Sequence, residues 1–373
     1  MSLRTISRLA PGAVALFLIG CPPSPPVAPA PKAGTGTPAP AGGNDETKAL
    51  ADRCKMLFGI IGKGAEAESA KHEVTDDKVA LGRQLYYDER LSKGQKISCN
   101  TCHDLAKYGV DNKPVSTGHK AQTGTRNSPT VYNAAWHLQG QFWDWRAVDV
   151  EEQSQKPITN PVEMACVDED YVVKVLRSIP GYAPLFKAAF PDDKGDPVTM
   201  KNLGEAIGAF ERRLVTPSRM DDFMGGKLDA LSADELAGLK VYLEVNCQMC
   251  HMGPAFGGNM AQKLGLKKPW PTTSTDQGRF EVTKSDADKL MFKVPSLRNI
   301  HETGPYLHDG SEPSLEKITK EMADYQLGVT LDDAKLKSLL AFLKSLTGTI
   351  DQAYIKRPEL PPSGPETPAP DEN

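Results

Sequence analysis

The 373-residue sequence has few of the residue types that build chemical sites: seven cysteines, seven histidines and four tryptophans. It also lacks a basic surplus. The net charge of -4 gives no electrostatic footprint for nucleic acid, so the sequence predicts no nucleic-acid partner. No long alternating strand pattern is present. With 39% hydrophobic and 25% charged residues, the chain has the composition of a soluble globular protein long enough for two domains.

A membrane-spanning run is missing near the N-terminus, where the apolar stretch of residues 13–19 is far too short to cross a bilayer as a helix. Because Arg4 and Arg8 precede this stretch, residues 1–20 predict a processed export signal. The signal ends in Leu-Ile-Gly-Cys, which resembles the bacterial lipobox and predicts lipidation of Cys21. An ordinary cleavable signal is the alternative.

Two Pro-rich segments flank the body of the chain. Residues 21–45 predict a lipidated cysteine followed by a linker that reaches up to about 70 Å at ~3 Å per residue. Residues 351–373 predict a second, disordered tail. With the signal, these segments predict a periplasmic protein anchored to a bacterial membrane, and they do not say which membrane.

The scarce cysteines are clustered. Residues 99–103 and 247–251 both read C-x-x-C-H, a motif that this composition would produce roughly 0.002 times by chance. Two thiols at this spacing take up the two vinyl groups of a haem, and the adjacent imidazole reaches the iron. The sequence therefore predicts two covalent c-type haems, with half-sites for zinc as the alternative. The predicted attachment residues are Cys99, Cys102, His103, Cys247, Cys250 and His251.

Two further cysteines, Cys54 and Cys166, belong to neither motif. Haem attachment in bacteria is completed outside the cytoplasm, which agrees with the export signal. In that oxidising compartment the two thiols either form a disulfide or remain as buried, unpaired small hydrophobes. The sequence leaves both possibilities open.

Each C-x-x-C-H motif lies between two amphipathic patterns. In the second half, Ser232 and Glu235 form a capping box before an opening helix, and a closing helix follows with Thr330 as its cap and Gly348 as its stop. In the first half, residues 76–89 predict the opening helix and residues 199–215 the closing one.

This duplicated layout predicts a mainly α fold of two cytochrome-c-like haem domains packed against each other. The predicted N-terminal haem domain covers residues 46–220 and the C-terminal one residues 221–350, with a joint near residues 216–230.

A connected series of motifs covers most of the body, from about residue 72 to 350. They read ISCNTCHDL, STGHKAQTGTRNSPTVYNAAW, QFWDWRAVDVEEQ, PITNPVEM, NCQMCHMGP, VPSLRNI, TGPYLHDGS and EMADYQLG. This series resembles the bacterial di-haem cytochrome c peroxidase family. The resemblance implies reduction of hydrogen peroxide to water by a peroxidatic N-terminal haem. Electrons from a small cytochrome c or cupredoxin would enter at the C-terminal haem, and a mildly acidic surface suits a small basic donor.

The resemblance also implies ligands for the two irons. The C-terminal iron would have His251 as its proximal ligand and Met322 as its sixth; Met249, Met252 and Met260 are nearer in sequence but close to the attachment turn. A methionine opposite a histidine raises the reduction potential of the iron, so this haem would store an electron.

The N-terminal iron would have His103 as its proximal ligand. His119 would occupy its distal position at rest and leave on activation.

Four further residues match catalytic positions of the family. Glu163 matches the acid-base carboxylate that moves a proton between the peroxide oxygens, and Gln153 matches the amide that orients the peroxide. Trp143 would bridge the two haems, and Phe142 would line the peroxide pocket. The chain reads FWDWR where the family usually has FWDGR, so Trp145 departs from the pattern and leaves the shape of this turn open.

A calcium ion between the two domains is also implied. Asn127 would bind it through its side chain, and Thr303 and Pro305 through their backbone carbonyls, an oxygen-only ligand set that suits calcium. The alternative is a turn-forming asparagine with no ion.

Two other functions compete with peroxide reduction. One is the related di-haem oxidase that matures a tryptophan-derived cofactor on another protein, in which a tyrosine takes the place of the methionine. Met322 argues against it and the nearby Tyr325 keeps it open. The other is a non-catalytic electron-transfer cytochrome, which would have no use for Glu163 and Gln153. The sequence leaves open the physiological donor, the need for prior reduction and the oligomeric state, a homodimer included.

Overall fold

Helices make up most of the regular structure in the computed structural model, which describes residues 43–62 and 71–372. The predicted signal, lipidated Cys21 and most of the linker lie outside the described residues. The prediction of a mainly helical fold is confirmed. The α-helices within the described ranges are α1 (Gly43–Phe58), α2 (Asp76–Tyr87), α3 (Cys99–Cys102), α4 (Val150–Thr159), α5 (Glu169–Arg177), α6 (Tyr182–Ala189), α7 (Met200–Arg212), α8 (Arg219–Met224), α9 (Ala233–Glu244), α10 (Phe280–Thr283), α11 (Leu315–Glu321) and α12 (Asp333–Ser345).

The remaining regular elements are short. Strands β1 (Ala261–Lys263) and β2 (Met291–Lys293) pair antiparallel with Gln262 opposite Phe292. A π-helical turn, Met322–Leu327, continues directly from α11. In the part of the chain that the structure describes, no helix is long and apolar enough to span a membrane.

Helices α2 and α7, the predicted opening and closing helices of the first half, cross at Gly82. A Cβ on Gly82 would lie 1.8 Å from the Ala206 carbonyl oxygen, so only glycine allows the two backbones to approach this closely. Tyr86 lies next to the crossing, with its ring 5.3 Å from that of Phe210. Around this pair lies the N-terminal core, which also contains residues of α5 and α6.

Helices α9 and α12 repeat this arrangement in the second half. A Cβ on Gly238 would lie 1.9 Å from the Ser338 carbonyl oxygen, and the ring of Tyr242 lies 5.2 Å from that of Phe342. The C-terminal core forms around this pair. The chain thus has two similarly built cores, one for each C-x-x-C-H motif, while the exact domain boundaries remain a prediction.

The two ends of α12, the closing helix of the second half, differ from the predictions made from the sequence. Asp332, and not Thr330, caps α12, because the Asp332 carboxylate accepts the Lys335 N–H at 2.8 Å. The helix ends before Gly348, which instead packs against the backbone of Thr216; a Cβ there would lie 2.1 Å from the Thr216 carbonyl oxygen. The capping box of Ser232 and Glu235 at the start of α9 is present as predicted.

Helix α1 begins at Gly43, three residues inside the predicted linker, and the rest of it lies in the range predicted for the N-terminal domain. It nevertheless packs into the C-terminal core, through Cys54 and Phe58. The ring of Phe58 stacks on that of Phe256 at 4.2 Å. Cys166 belongs to the other core. Both cysteines are buried and free, so the structure answers the question that the sequence left open: they do not form a disulfide.

The predicted joint near residues 216–230 contains helix α8, whose Asp221 forms a buried ion pair with Arg298. Both guanidinium Nη atoms lie 2.7 Å from the two carboxylate oxygens of Asp221. Burial alone would raise the pKa of Asp221, but the hydrogen bonds and charge of Arg298 outweigh burial and lower it. The side chain of Arg298 is completely buried, and its Nε also donates to the Pro254 carbonyl at 2.6 Å.

We expect Arg298→Met to destabilise the protein by about 3–5 kcal/mol, the usual cost of leaving one partner of a buried pair behind. Urea unfolding of the haem-loaded protein measures this. Lys335→Met is the matched control, because Lys335 pairs with Glu244 at the surface and its loss should cost less than about 1 kcal/mol. Equal effects of the two variants would contradict a structural role for the buried pair.

The C-terminal tail, residues 351–372, differs from the prediction of disorder, because it packs along the N-terminal core. Ile355 is buried in that core, and its carbonyl accepts the Tyr87 hydroxyl at 2.5 Å. Farther along, Arg90 Nη1 donates to the Pro361 carbonyl at 2.8 Å. A Pro-rich composition does not require disorder where backbone carbonyls find donors on a folded surface.

Candidate active site

Two cavities contain the two C-x-x-C-H motifs. The N-terminal cavity is lined by Cys99, Cys102 and His103, and the C-terminal cavity by Cys247, Cys250 and His251. Their empty volumes, with the open solvent at the mouths included, are about 1260 and 1670 Å³. Each motif is fixed in the same way: the hydroxyl of Tyr86 donates to the His103 carbonyl, and that of Tyr242 to the His251 carbonyl, both at 2.7 Å.

The imidazole of His251 is held in the tautomer that a metal ligand needs. Its Nδ1 lies 3.1 Å from the Pro295 carbonyl, to which it donates, and this leaves Nε2 without a proton. Burial lowers the pKa of His251 to about 4, while the hydrogen bond to Pro295 opposes this shift. The imidazole is therefore neutral at neutral pH.

Glu163 and Gln153 both line the N-terminal cavity. Gln153 lies on α4, which begins where the Asp149 carboxylate accepts the Glu152 N–H at 2.9 Å. After α4 the chain turns at Asn160, whose side-chain amide donates to the Glu163 carboxylate at 2.8 Å. Burial raises the pKa of Glu163, with the charge of Arg146 and the hydrogen bond from Asn160 opposing. The family resemblance predicts these two side chains at one site, and the structure brings them together.

Phe142 lines only the N-terminal cavity, whereas Trp143 lines both cavities. The indole N–H of Trp143 donates to the Asn127 carbonyl at 2.9 Å. Arg146 covers the Phe142 ring at 3.6 Å from its centroid. Trp145 adopts a left-handed φ of 57°, a conformation that favours glycine and explains why a small residue suits this position.

Met322 lies at the first position of the π-helical turn and lines the C-terminal cavity. Such turns often occur at functional sites. Among the methionines of the described residues, Met322 alone lines this cavity; Met249 and Met252 are 64% and 44% exposed. Tyr325 lies outside the lining, and its ring packs against Trp270 at 5.2 Å.

His119 is the predicted ligand that the structure does not bring to its cavity. Its side chain is buried outside the lining of the N-terminal cavity, next to Gly94: a Cβ on Gly94 would lie 3.6 Å from His119 Nδ1. Its backbone N–H donates to the Glu163 carbonyl at 2.8 Å. Ligation of the iron by His119 therefore stays a prediction that would require this loop to move.

The three residues predicted to bind calcium, Asn127, Thr303 and Pro305, all line the C-terminal cavity. The Asn127 amide nitrogen donates to the Lys113 carbonyl at 2.9 Å, so the side-chain oxygen faces away from that bond and stays available as a ligand. This donor set fits an oxygen-preferring cation.

Lys293 is a functional candidate that sequence reasoning misses. It is 4% exposed and lines both cavities. Five of the described residues line both cavities, and we call them the shared wall: Asn127, Pro129, Thr130, Trp143 and Lys293. Its ammonium donates to His137 Nδ1 at 3.2 Å, and no carboxylate of the described residues forms an ion pair with it. Burial lowers its pKa to about 8, with the charge of Asp144 opposing. No local signal marks this residue, because a lysine in a short strand is ordinarily exposed.

Comparison with known proteins gives this arrangement a family. Residues 76–229 match the protein-family model of the di-haem cytochrome c peroxidases. The cytochrome c551 peroxidase of Nitrosomonas europaea is 45% identical over 293 residues, which cover 78% of this chain and 86% of that protein. The chain belongs to the di-haem cytochrome c peroxidase family. The peroxidase therefore carries haem cofactors.

Other relatives agree with this assignment. The cytochrome c551 peroxidase of Pseudomonas aeruginosa is 40% identical to the peroxidase, covering 88% of this chain and 94% of that protein. The methylamine utilization protein MauG of Methylorubrum extorquens is 33% identical, covering 77% of this chain and 82% of that protein. Among solved structures, a MauG-like protein associated with microbial copper homeostasis superimposes with a TM-score of 0.67 at 27% identity, covering 80% of this chain and 94% of that one.

Proposed function

We propose that the enzyme reduces hydrogen peroxide to water in the N-terminal cavity, with electrons that a small redox protein delivers at the C-terminal cavity. The observation that supports this most is the placement of Glu163 and Gln153 in the same cavity as Cys99, Cys102 and His103. A carboxyl and an amide facing one attachment site are what peroxide cleavage needs, and simple electron transfer needs neither.

The residues present fit two haems. Cys99 and Cys102 would hold one and Cys247 and Cys250 the other, with His103 and His251 as iron ligands and Met322 as the sixth ligand in the C-terminal cavity. When bound, the haems supply an iron that takes up peroxide and the two electrons that reduce it. The buried ammonium of Lys293 fits the propionate groups of a haem, since a buried cation needs an anionic partner.

Glu163 would act on the protons of the reaction. Cleavage of hydrogen peroxide consumes two protons and two electrons and yields two waters. The carboxylate of Glu163 accepts a proton from one peroxide oxygen and returns it to the other, so that this oxygen leaves as water. The side-chain amide of Gln153 donates a hydrogen bond that orients the peroxide, and Phe142, with Arg146 over its ring, forms part of the pocket wall.

Trp143 would connect the two cavities. Its indole lies in the shared wall and is 8% exposed, and the hydrogen bond from its N–H to Asn127 fixes its orientation. An aromatic side chain at this place shortens the gap that an electron must cross. The calcium ion proposed at Asn127, Thr303 and Pro305 would stiffen the same wall.

Cofactor maturation on another protein is the weaker candidate. It needs a tyrosine in the place of Met322, and the Tyr325 ring lies against Trp270 outside the cavity. We also propose that the enzyme works in the periplasm, anchored through Cys21, since the covalent haem attachment is completed outside the cytoplasm; these residues lie outside the described part.

Stopped-flow oxidation of a reduced small cytochrome c or cupredoxin by hydrogen peroxide tests the proposal. The enzyme should oxidise two donor molecules for each peroxide. Donor oxidation that does not depend on peroxide would indicate an electron-transfer cytochrome instead.

We expect Lys293→Met to lower the midpoint potentials of both haems. A positive charge near a haem favours the reduced iron, and Lys293 lines both cavities, so its loss should act on both. Spectroelectrochemical titration of the two haems measures this. Lys293→Arg keeps the charge and should keep both potentials near their original values, while Lys263→Met, at the more exposed end of β1, is the neutral control. Unchanged potentials in Lys293→Met would remove this residue from the haem environment.

A further inference from the structure

The last residues of the C-terminal tail are bound to the segment that surrounds His119. Gln95 Nε2 donates to the Pro368 carbonyl at 2.8 Å, and the Asp371 N–H donates to the Lys93 carbonyl at 2.9 Å. Lys96 forms an ion pair with Glu372. Three consecutive contacts thus hold residues 368–372 against residues 93–96.

The His119 imidazole lies at this same place. A Cβ on Gly94 would be 3.6 Å from His119 Nδ1 and 3.9 Å from the Asp371 carbonyl oxygen, so the imidazole and the tail both lie beside Gly94. His119 is 9% exposed, and its Nε2 is buried without a hydrogen-bond partner in the described part of the chain. The hydrogen bond and charge of Lys96 lower the pKa of Glu372, and the charge of His119 contributes to the same shift. Because one of its two ring nitrogens forms no hydrogen bond to the described residues, the imidazole is held at this place mainly by packing.

The loop around His119 is fitted to this position. A Cβ on Gly118 would lie 2.0 Å from the Val162 carbonyl oxygen, and Lys120 and Ala121 adopt left-handed φ angles of 54° and 58°. Left-handed conformations are unfavourable for non-glycine residues and persist only where the surroundings compensate. The tail lies next to this loop at Gly94, beside the His119 imidazole.

We propose that residues 363–372 of the tail act as a strap that keeps His119 away from the N-terminal iron, so that the fully oxidised enzyme already has an open peroxide site. This inference rests on the proposed role of His119 as the displaceable distal ligand. The strap favours the open position of the loop by binding to residues 93–96 only while the imidazole lies beside Gly94.

The test is electron paramagnetic resonance of the fully oxidised, haem-loaded enzyme. We compare the full chain with a variant that ends at Pro362, which keeps Ile355 and Pro361 in place. The full chain should show a high-spin N-terminal haem. The shortened chain should show a low-spin one, and its turnover without prior reduction should fall at least about tenfold, to return after reduction.

Two further variants keep the result interpretable. Gly94→Leu places a side chain in the space between His119 and Asp371 while the whole tail is retained, and it should give the same low-spin signal. His119→Gly in the shortened chain should restore the high-spin signal. Lys335→Ala, at a surface ion pair of α12, is the control and should behave like the full chain.

The outcomes separate the strap from the proposed function. A full chain that is low-spin, becomes high-spin on His119→Gly and does not respond to shortening would overturn the strap while leaving His119 as a ligand. A high-spin signal in every variant would overturn ligation by His119 and the strap with it. Absence of peroxidase turnover in the pre-reduced full chain would reject the proposed function, whatever the spin states.

Discussion

Replacing Glu163 with glutamine is expected to slow peroxide turnover by ~100-fold or more, the usual scale for the loss of a general acid-base group. Glutamine keeps the size of the side chain and its contact with Asn160 but cannot accept and return a proton. Peroxide should still enter, because Gln153 and Phe142 remain in the cavity. Single-turnover stopped-flow measurements with the pre-reduced enzyme separate peroxide entry from cleavage of the O–O bond.

The pH dependence gives a second measure of the same group. Burial raises the pKa of Glu163 above its ordinary value of 4.5. The carboxylate must be deprotonated to accept a proton, so kcat/KM should fall as the pH decreases through this raised pKa and recover as the pH increases. Glu163→Gln should lose this acid limb.

Glu152→Gln is the matched control, because Glu152 is a nearby carboxylate that pairs with Lys156 at the surface. Its rate and pH profile should be those of the unaltered enzyme. A Glu163→Gln enzyme that turns over at a comparable rate would show that another group moves the proton.

Replacing Met322 with leucine is expected to lower the potential of the C-terminal haem by on the order of 0.1 V, since axial ligands set haem potentials over a range of about 0.8 V. Leucine keeps the apolar contact of Met322 with the cluster around Trp143, Leu264 and Phe292 but has no thioether. Mild reductants should then no longer reduce the C-terminal haem, so that the enzyme stores no electron there. The methionine-to-iron charge-transfer band should also disappear.

Redox titration and near-infrared absorption measure this change while haem content is followed as a check on folding. Met249→Leu serves as the comparison, because Met249 is mostly exposed and lies outside the cavity. Identical spectra and potentials in Met322→Leu and the unaltered enzyme would show that another side chain is the sixth ligand.

Much of the helical fold can be predicted from the sequence because the decisive signals are local. The spacing of Leu203, Ile207 and Phe210 predicts a buried helix face whatever the rest of the chain does, and the structure buries all three. The capping box at Ser232 depends on four consecutive residues. The family resemblance predicts Glu163 and Gln153 at one site, and both side chains line the N-terminal cavity.

Contacts between segments that are far apart in the chain cannot be predicted in this way. Glu151 reads as a surface residue of a polar helix, yet it is 3% exposed because Arg212 of α7 binds its carboxylate at 2.6 and 2.9 Å. Helix α1 has no local feature that directs it to the C-terminal core. His119 lies beside Gly94, where the tail from more than 240 residues later in the sequence also packs. Lys293 is buried against His137 and the Trp143 carbonyl, which belong to the other half of the molecule.

The shared wall also decides how freely the two haem units can be recombined. Each unit has its own core, which suggests modules that could be exchanged between relatives. The wall, however, takes Asn127, Pro129, Thr130 and Trp143 from the first half and Lys293 from the second, and the Lys293 N–H donates to the Trp143 carbonyl at 2.7 Å. A chimera joined between the two halves would combine wall residues from two different parent proteins. The smallest segment that can be exchanged intact is therefore larger than either haem-binding half.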